Sequence, residues 1–132
     1  MALACYEAAL SVDPETILVV TAATAQQRAA EQLKARFACE IFADRAYNDD
    51  ATLVDRRKPG AVIHDAELAG NRMVEMVKAQ AIFTESGKQI ASPVDTICCH
   101  GDTPEAVDIA ASVRKRLEDA GITVTQFEGR RG

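Results

Sequence analysis

His100 and Asp102 are the residues whose types and spacing most readily do chemistry. They close the stretch Thr96-Ile97-Cys98-Cys99-His100-Gly101-Asp102, which runs on into Thr103-Pro104-Glu105. An imidazole exchanges protons near neutral pH, and a carboxylate two residues away can orient it. The apolar run predicts a buried strand that ends in a tight turn and then a helix. Side chains at the carboxyl end of a parallel strand project into a crevice while the strand behind holds them rigid. A plainer reading stands beside this one: His100 is a buried, hydrogen-bonded histidine and Asp102 caps the helix that follows.

A second group of polar residues leaves an apolar segment at positions 38–43. Glu40 lies inside that segment, where a carboxylate is costly unless it is paired, hydrogen-bonded or used. Asp44, Arg45 and Tyr47 follow at its end. The run Arg56-Arg57-Lys58 sits in the longest stretch without a clear period, residues 48–65, and irregular segments of that size tend to be lids or binding loops. The four cysteines, Cys5, Cys39, Cys98 and Cys99, lie in apolar segments without zinc-type spacing, and they read as buried reduced thiols. Adjacent Cys98 and Cys99 point to opposite faces of a strand and cannot both serve one site.

The elements that must position these groups alternate. Residues 2–10 read as a helix ended before Pro14, and 16–21 as a strand buried on both faces. Residues 24–37 read as a helix with Ala25, Ala29, Leu33 and Phe37 on one face, and 38–43 as the next strand. A helix runs from its cap Asp65 to Lys78, with Leu68, Met73, Val74 and Val77 inward. Residues 81–91 form a small peripheral hairpin turning at Gly87. After the His-Gly-Asp strand, residues 104–120 form a helix with Ala106, Val107, Ala110, Val113 and Leu117 on one face, stopped by Gly121. Residues 122–127 read as the last strand and 128–132 as a frayed tail. The expectation is an α/β domain over 1–132, with about four core parallel strands and the hairpin.

Composition narrows the function. The chain has 132 residues, 48% hydrophobic and 27% charged, which suits a single globular domain. A net charge of -5 without a basic stripe argues against nucleic acid. No apolar run approaches the roughly 18 residues of a membrane span. The first ten residues do not resemble a secretory signal, so a cytoplasmic location is expected.

Three stretches taken together carry a resemblance: Glu40-Ile41-Phe42-Ala43-Asp44-Arg45-Ala46-Tyr47, Leu53 to Ile63 with its Asp55-Arg56-Arg57-Lys58-Pro59-Gly60 centre, and Thr96 to Pro104. In this order and spacing they resemble the carboxyl-terminal half of the LamB/YcsF lactam-utilisation family, to which the A subunit of bacterial 5-oxoprolinase belongs. Two positions depart from the family pattern, Ala51 where a glycine is usual and Cys99 where valine is. The Asp-Leu-Asn-type opening strand and upstream histidine motif of the family have no counterpart here. The resemblance implies half of an irregular parallel β/α barrel, similar to polysaccharide deacetylases. It implies ATP-dependent opening of 5-oxoproline to glutamate, with ATP acting through the complex and the other 5-oxoprolinase subunits as partners. No metal ligand is assigned, and the metal content stays open.

Opening a lactam requires an activated amide and water delivered to its carbonyl carbon. His100, or a Glu40 raised by burial, suits the base; Arg45 or Arg56 suits the substrate's carboxylate or phosphorylated oxygen. On this expectation Asp44 orients Arg45, Asp102 orients His100, and Tyr47 lies at the site. The structural alternatives are an Asp44–Arg45 pair tying a loop, a packed Tyr47 and a solvated Arg56. Two assemblies follow: a catalytic half completed by an upstream barrel half, or a second copy forming a dimerising, non-catalytic module that binds a small carboxylate or some other subunit.

Overall fold

Unbroken β-branched and aliphatic runs favour strands, and here they pair side by side. In the computed structural model, which describes residues 1–131, the helix α1 (Ala2–Val12) is followed by β1 (Ile17–Thr21). After α2 (Ala25–Gln32) the chain returns as β2 (Arg36–Phe42), parallel to β1 with Thr21 opposite Glu40. Alternation then sorts the side chains. Leu18, Val20, Phe37, Cys39 and Ile41 enter the core, while Val19, Glu40 and Phe42 share the other face, where Val19 is 55% exposed.

The end of α2 departs from the sequence expectation, which carries the helix to Phe37. Lys34, just past the helix, takes a left-handed φ of 52°, and Lys34 N–H bonds Glu31 O while Ala35 N–H bonds Ala30 O. That is a Schellman closure, normally marked by glycine. A lysine in its place gives no stop signal, so Phe37 belongs to β2 and is buried there.

Asp65 caps α3 (Ala66–Ala79), its side chain accepting from Leu68 N at 3.0 Å. The inward residues are Ala69, Gly70, Met73 and Met76, while Leu68, expected inside, is exposed. The hairpin β3 (Ala81–Phe83) and β4 (Gln89–Ala91) turns at Gly87, φ 87°, but it is not peripheral, because Ile82 is fully buried in the main core. β5 (Thr96–Cys98) runs parallel to β2 with Glu40 opposite Thr96 and Phe42 opposite Cys98. α4 (Ala106–Asp119) buries Ile109, Val113 and Leu117, and leaves the expected core residue Val107 exposed. It crosses α3 so closely that a Cβ at Gly70 would lie 2.6 Å from Ser112 Oγ.

Two expectations for the carboxyl end are corrected. Residues 122–127 form no strand, and among the described residues β5 pairs only with β2. The sheet therefore has three parallel strands, β1-β2-β5, and not four. Beyond that stretch, β6 (Arg130–Arg131) pairs antiparallel with the start of β2, so the tail is held there; Gly132 lies outside the described residues. Arg130 Nε donates to Asp95 Oδ2 at 2.8 Å, and the same oxygen accepts from Cys39 N at 2.9 Å. Among the described residues no helix is long and apolar enough to cross a membrane.

Replacing Lys34 by glycine removes the left-handed strain at an exposed position. Lys34→Gly is expected to raise the unfolding free energy by about 0.5–1 kcal/mol in urea titration.

Candidate active site

The parallel register of β2 and β5 decides which side chains meet. Phe42 lies opposite Cys98, and Ala43 N–H bonds Cys98 O at 2.9 Å, so Asp44 and His100 leave the same rim of the sheet. Asp44 is 2% exposed. One carboxylate oxygen accepts from the His100 backbone N–H at 2.9 Å, and the other contacts His100 Nδ1 at 2.8 Å. An ionised carboxylate only accepts, so Nδ1 carries the hydrogen and Nε2 of the neutral ring keeps its lone pair. The ring stacks on Phe42, centroids 5.3 Å apart and planes 7° from parallel, and its side chain keeps 29% of its exposure.

Nε2 faces the Cys98 thiol at 3.9 Å. Cys98, His100 and Asp44 thus follow the order of a nucleophile, a base and its orienting carboxylate. The surroundings oppose that use: burial, with Glu40 and Asp44 nearby, pushes the Cys98 thiol up to about 11. Activated cysteines need the reverse shift. The arrangement is suited to proton transfer at His100 with Cys98 protonated beside it.

Glu40 shares the open face with Phe42, two residues along the strand. Burial raises its pKa, and the nearby His100 offsets part of the effect. Asp102 is elsewhere: it forms a half-exposed ion pair with Arg56 at 2.9 Å, which holds the carboxylate below its ordinary range. The orienting role expected of Asp102 toward His100 therefore belongs to Asp44, which is also not paired with Arg45. Nor does Asp102 cap α4, whose N-cap position is Glu105.

Arg45 is 8% exposed and turns into the 48–65 loop, where Nη2 donates to Val54 O at 2.9 Å and Nε has no protein partner. Tyr47 is fully buried; its hydroxyl accepts from Phe42 N at 2.9 Å, and burial pushes it up to about 12. Its hydroxyl is not wet. The loop is tied over the rim twice, by Arg56 to Asp102 and by His64 to Glu105 at 3.2 Å. Ala51, where the family pattern has glycine, takes φ 68°. The cysteines are free thiols, but Cys5 is exposed, against expectation.

Sequence reasoning missed Phe42, Cys98 and Arg72. The first two follow from strand period two, since Phe42 is i+2 from Glu40 and Cys98 is i−2 from His100. Arg72 lies on the polar side of α3, read as outward; instead it reaches the rim, donating through Nη1 to Ala43 O at 3.0 Å and through Nη2 to Arg45 O at 3.2 Å. Among the described residues no group of three or more His, Cys, Asp or Glu side chains is placed to hold a metal ion.

The fold and site define an α/β protein with a carboxylate-oriented histidine at the rim of a parallel sheet. The LamB/YcsF family model matches residues 1–132, and the chain belongs to that family. It is 61% identical over 128 residues to the 5-oxoprolinase A subunit of Ruegeria pomeroyi, covering 97% of this chain and 51% of that protein. It is 48% identical over 124 residues to the 5-oxoprolinase A subunit of Thermococcus onnurineus, covering 94% and 49%. The crystal structure of a lactam utilization protein from Thermus thermophilus superposes with a TM-score of 0.84 at 35% identity, over 96% of this chain and 50% of that one. The chain spans about half the length of the curated relatives it matches.

Burial sets the expected cost of losing each aspartate. Asp44→Ala leaves the His100 N–H without its acceptor and is expected to lower the unfolding free energy by about 2 kcal/mol, whereas Asp102→Ala, at an exposed pair, is expected to leave the urea midpoint unchanged. For Glu40, a folded pKa above the ordinary 4.5 means that ionisation costs stability. The cost sets in as pH rises above that value and is absent below it. Glu40→Gln should therefore unfold at a higher midpoint than the parent at pH 7, with the gain vanishing as the pH is lowered below about 4.

Proposed function

We propose that this chain is the acid–base half of a 5-oxoprolinase A subunit, acting in the ATP-dependent opening of 5-oxoproline to glutamate. The observation that carries the reading is the buried Asp44 carboxylate holding the His100 ring at the sheet rim with Nε2 facing Cys98. The 61% identity to a 5-oxoprolinase A subunit favours it over a non-catalytic carboxylate-binding module.

On this reading His100 Nε2 takes a proton from water as the water oxygen bonds to the carbonyl carbon of the activated lactam. The ring C–N bond then breaks, His100 returns the proton to the departing nitrogen, and a second water hydrolyses the acyl phosphate left behind to glutamate and inorganic phosphate. Asp44 stabilises the imidazolium formed between the two proton transfers. Glu40, whose raised pKa keeps it closer to neutrality than an ordinary carboxylate, is the second proton-handling group, on the open face of the sheet. Arg56 receives the substrate carboxylate: it is half-exposed, and its partner Asp102 can be exchanged for another carboxylate at little cost. Arg45, buried in the loop, holds Val54 in place rather than meeting substrate, and Tyr47 fixes the end of β2.

The residues present do not fit a nucleotide. The start of α4 carries Glu105 and Asp108, close to Asp102, and this acidic end repels polyphosphate where a binding site would attract it. On this reading ATP acts through the complex. The open outer edge of β1 and the exposed Val19 support a half-barrel, completed by a polypeptide equivalent to the remaining half of the relatives or by a second copy. A cytoplasmic location fits an ATP-using complex.

The test is reconstitution. The chain is co-expressed with the complementary half of the Ruegeria pomeroyi relative and the other 5-oxoprolinase subunits, and glutamate release from 5-oxoproline is followed. His100→Ala is expected to lower kcat by about 10²–10⁴-fold, and Arg56→Ala to raise KM more than it lowers kcat. Full activity in His100→Ala, or no association with the complementary half, would overturn the reading.

A further inference from the structure

Arg72 stands out among the groups that the reaction does not use directly. Its guanidinium, brought from α3 to the sheet rim, makes no ion pair among the described residues. It spends its fork on two neutral carbonyls, those of Ala43 and Arg45. Burial lowers its pKa, an effect that the nearby Tyr47 and Asp44 partly offset. Withdrawing a guanidinium from water without a contacting carboxylate is expensive, and a methionine would fill the same space at less cost. The position of the two carbonyls accounts for the expense.

They flank Asp44. The carbonyl before it and the carbonyl after it are both held by Arg72, and the carbonyl of Asp44 itself accepts from Ile63 N at 2.8 Å. With three successive carbonyls tied, the Asp44 backbone has one orientation, and its carboxylate can meet the His100 N–H and Nδ1 together. A planar fork spans two carbonyls at fixed separation, which an ammonium on a flexible stem does not.

We propose that Arg72 is a positioning residue for the Asp44–His100 pair: by bracketing the Asp44 backbone it holds His100 in the Nδ1–H form, with Nε2 the unprotonated nitrogen that faces the Cys98 thiol. The proposal rests on the reading of that pair as the working site, yet its test does not require turnover. The chain has two histidines, so ¹⁵N-imidazole NMR of the full chain gives two ring systems, and His64→Gln assigns them. Above the imidazole titration, His100 is expected to be the Nδ1–H tautomer in the parent chain. Asp44→Asn provides the reference for its loss.

Arg72→Lys, which keeps the charge, and Arg72→Met, which keeps the packing, are both expected to lose the Nδ1–H preference and move to a mixture of tautomers, with circular dichroism unchanged. A chain in which either folded variant retains the Nδ1–H signature would overturn the proposal, whatever its melting point, and would leave Arg72 as a structural clamp. The functional reading is tested separately by His100→Ala in the reconstituted complex. Loss of the tautomer in Arg72→Lys together with full turnover in His100→Ala would sustain the positioning role and remove the catalytic one.

Discussion

A carboxylate withdrawn from water is tolerated only when its oxygens are met by donors, and Asp44 meets that condition through one residue. His100 supplies both donors, from its backbone and its ring. That encounter is possible because β5 lies parallel to β2 in a register that sets Phe42 against Cys98. A slip of β2 by one residue would turn Glu40 and Phe42 into the core and Ile41 out of it. The core face of Phe37, Cys39 and Ile41 therefore protects the rim chemistry as well as the fold.

Around this pair the polar residues divide by what surrounds them. Arg45, Tyr47 and Arg72 are buried or partly buried and bond to backbone groups, so they give shape to the rim and to the loop above it. Arg56, Asp102 and His64 are exposed and Glu105 is half-buried, and they bond in pairs across the loop and the start of α4. Exposed pairs contribute little to stability and exchange readily. They are thus suited to contacts that form and break, while the inner set is suited to contacts that stay.

Much of this was readable from residue order. The strand that ends in His-Gly-Asp, the cluster leaving the strand of Glu40, the Asp65 cap and the Gly87 turn all follow from local rules that operate over a few residues. What was not readable depends on distance. Asp44 and Asp102 are equally plausible partners for His100 by type, and only the strand register places one of them beneath the ring. Arg72 sits among outward polar residues of a helix, and nothing nearby in sequence indicates that its side chain is long enough to reach the sheet. The end of α2 was hidden because a lysine occupies the left-handed position that glycine ordinarily marks, and the segment 122–127 has strand composition but forms no strand. Leu68 and Val107 show the same limit on helices, where periodicity proposed a face that packing rotated away.

The contact of Asp95 with Cys39 and Arg130 has a practical side. That carboxylate takes the place of a backbone acceptor for β2, and its compensating charge comes from the last few residues of the chain. A fusion partner or affinity tag joined close behind β6 pulls on the residue that neutralises a buried acid. A tag placed ahead of α1, whose residues include none that are fully buried, touches no such balance and is the better choice for purification.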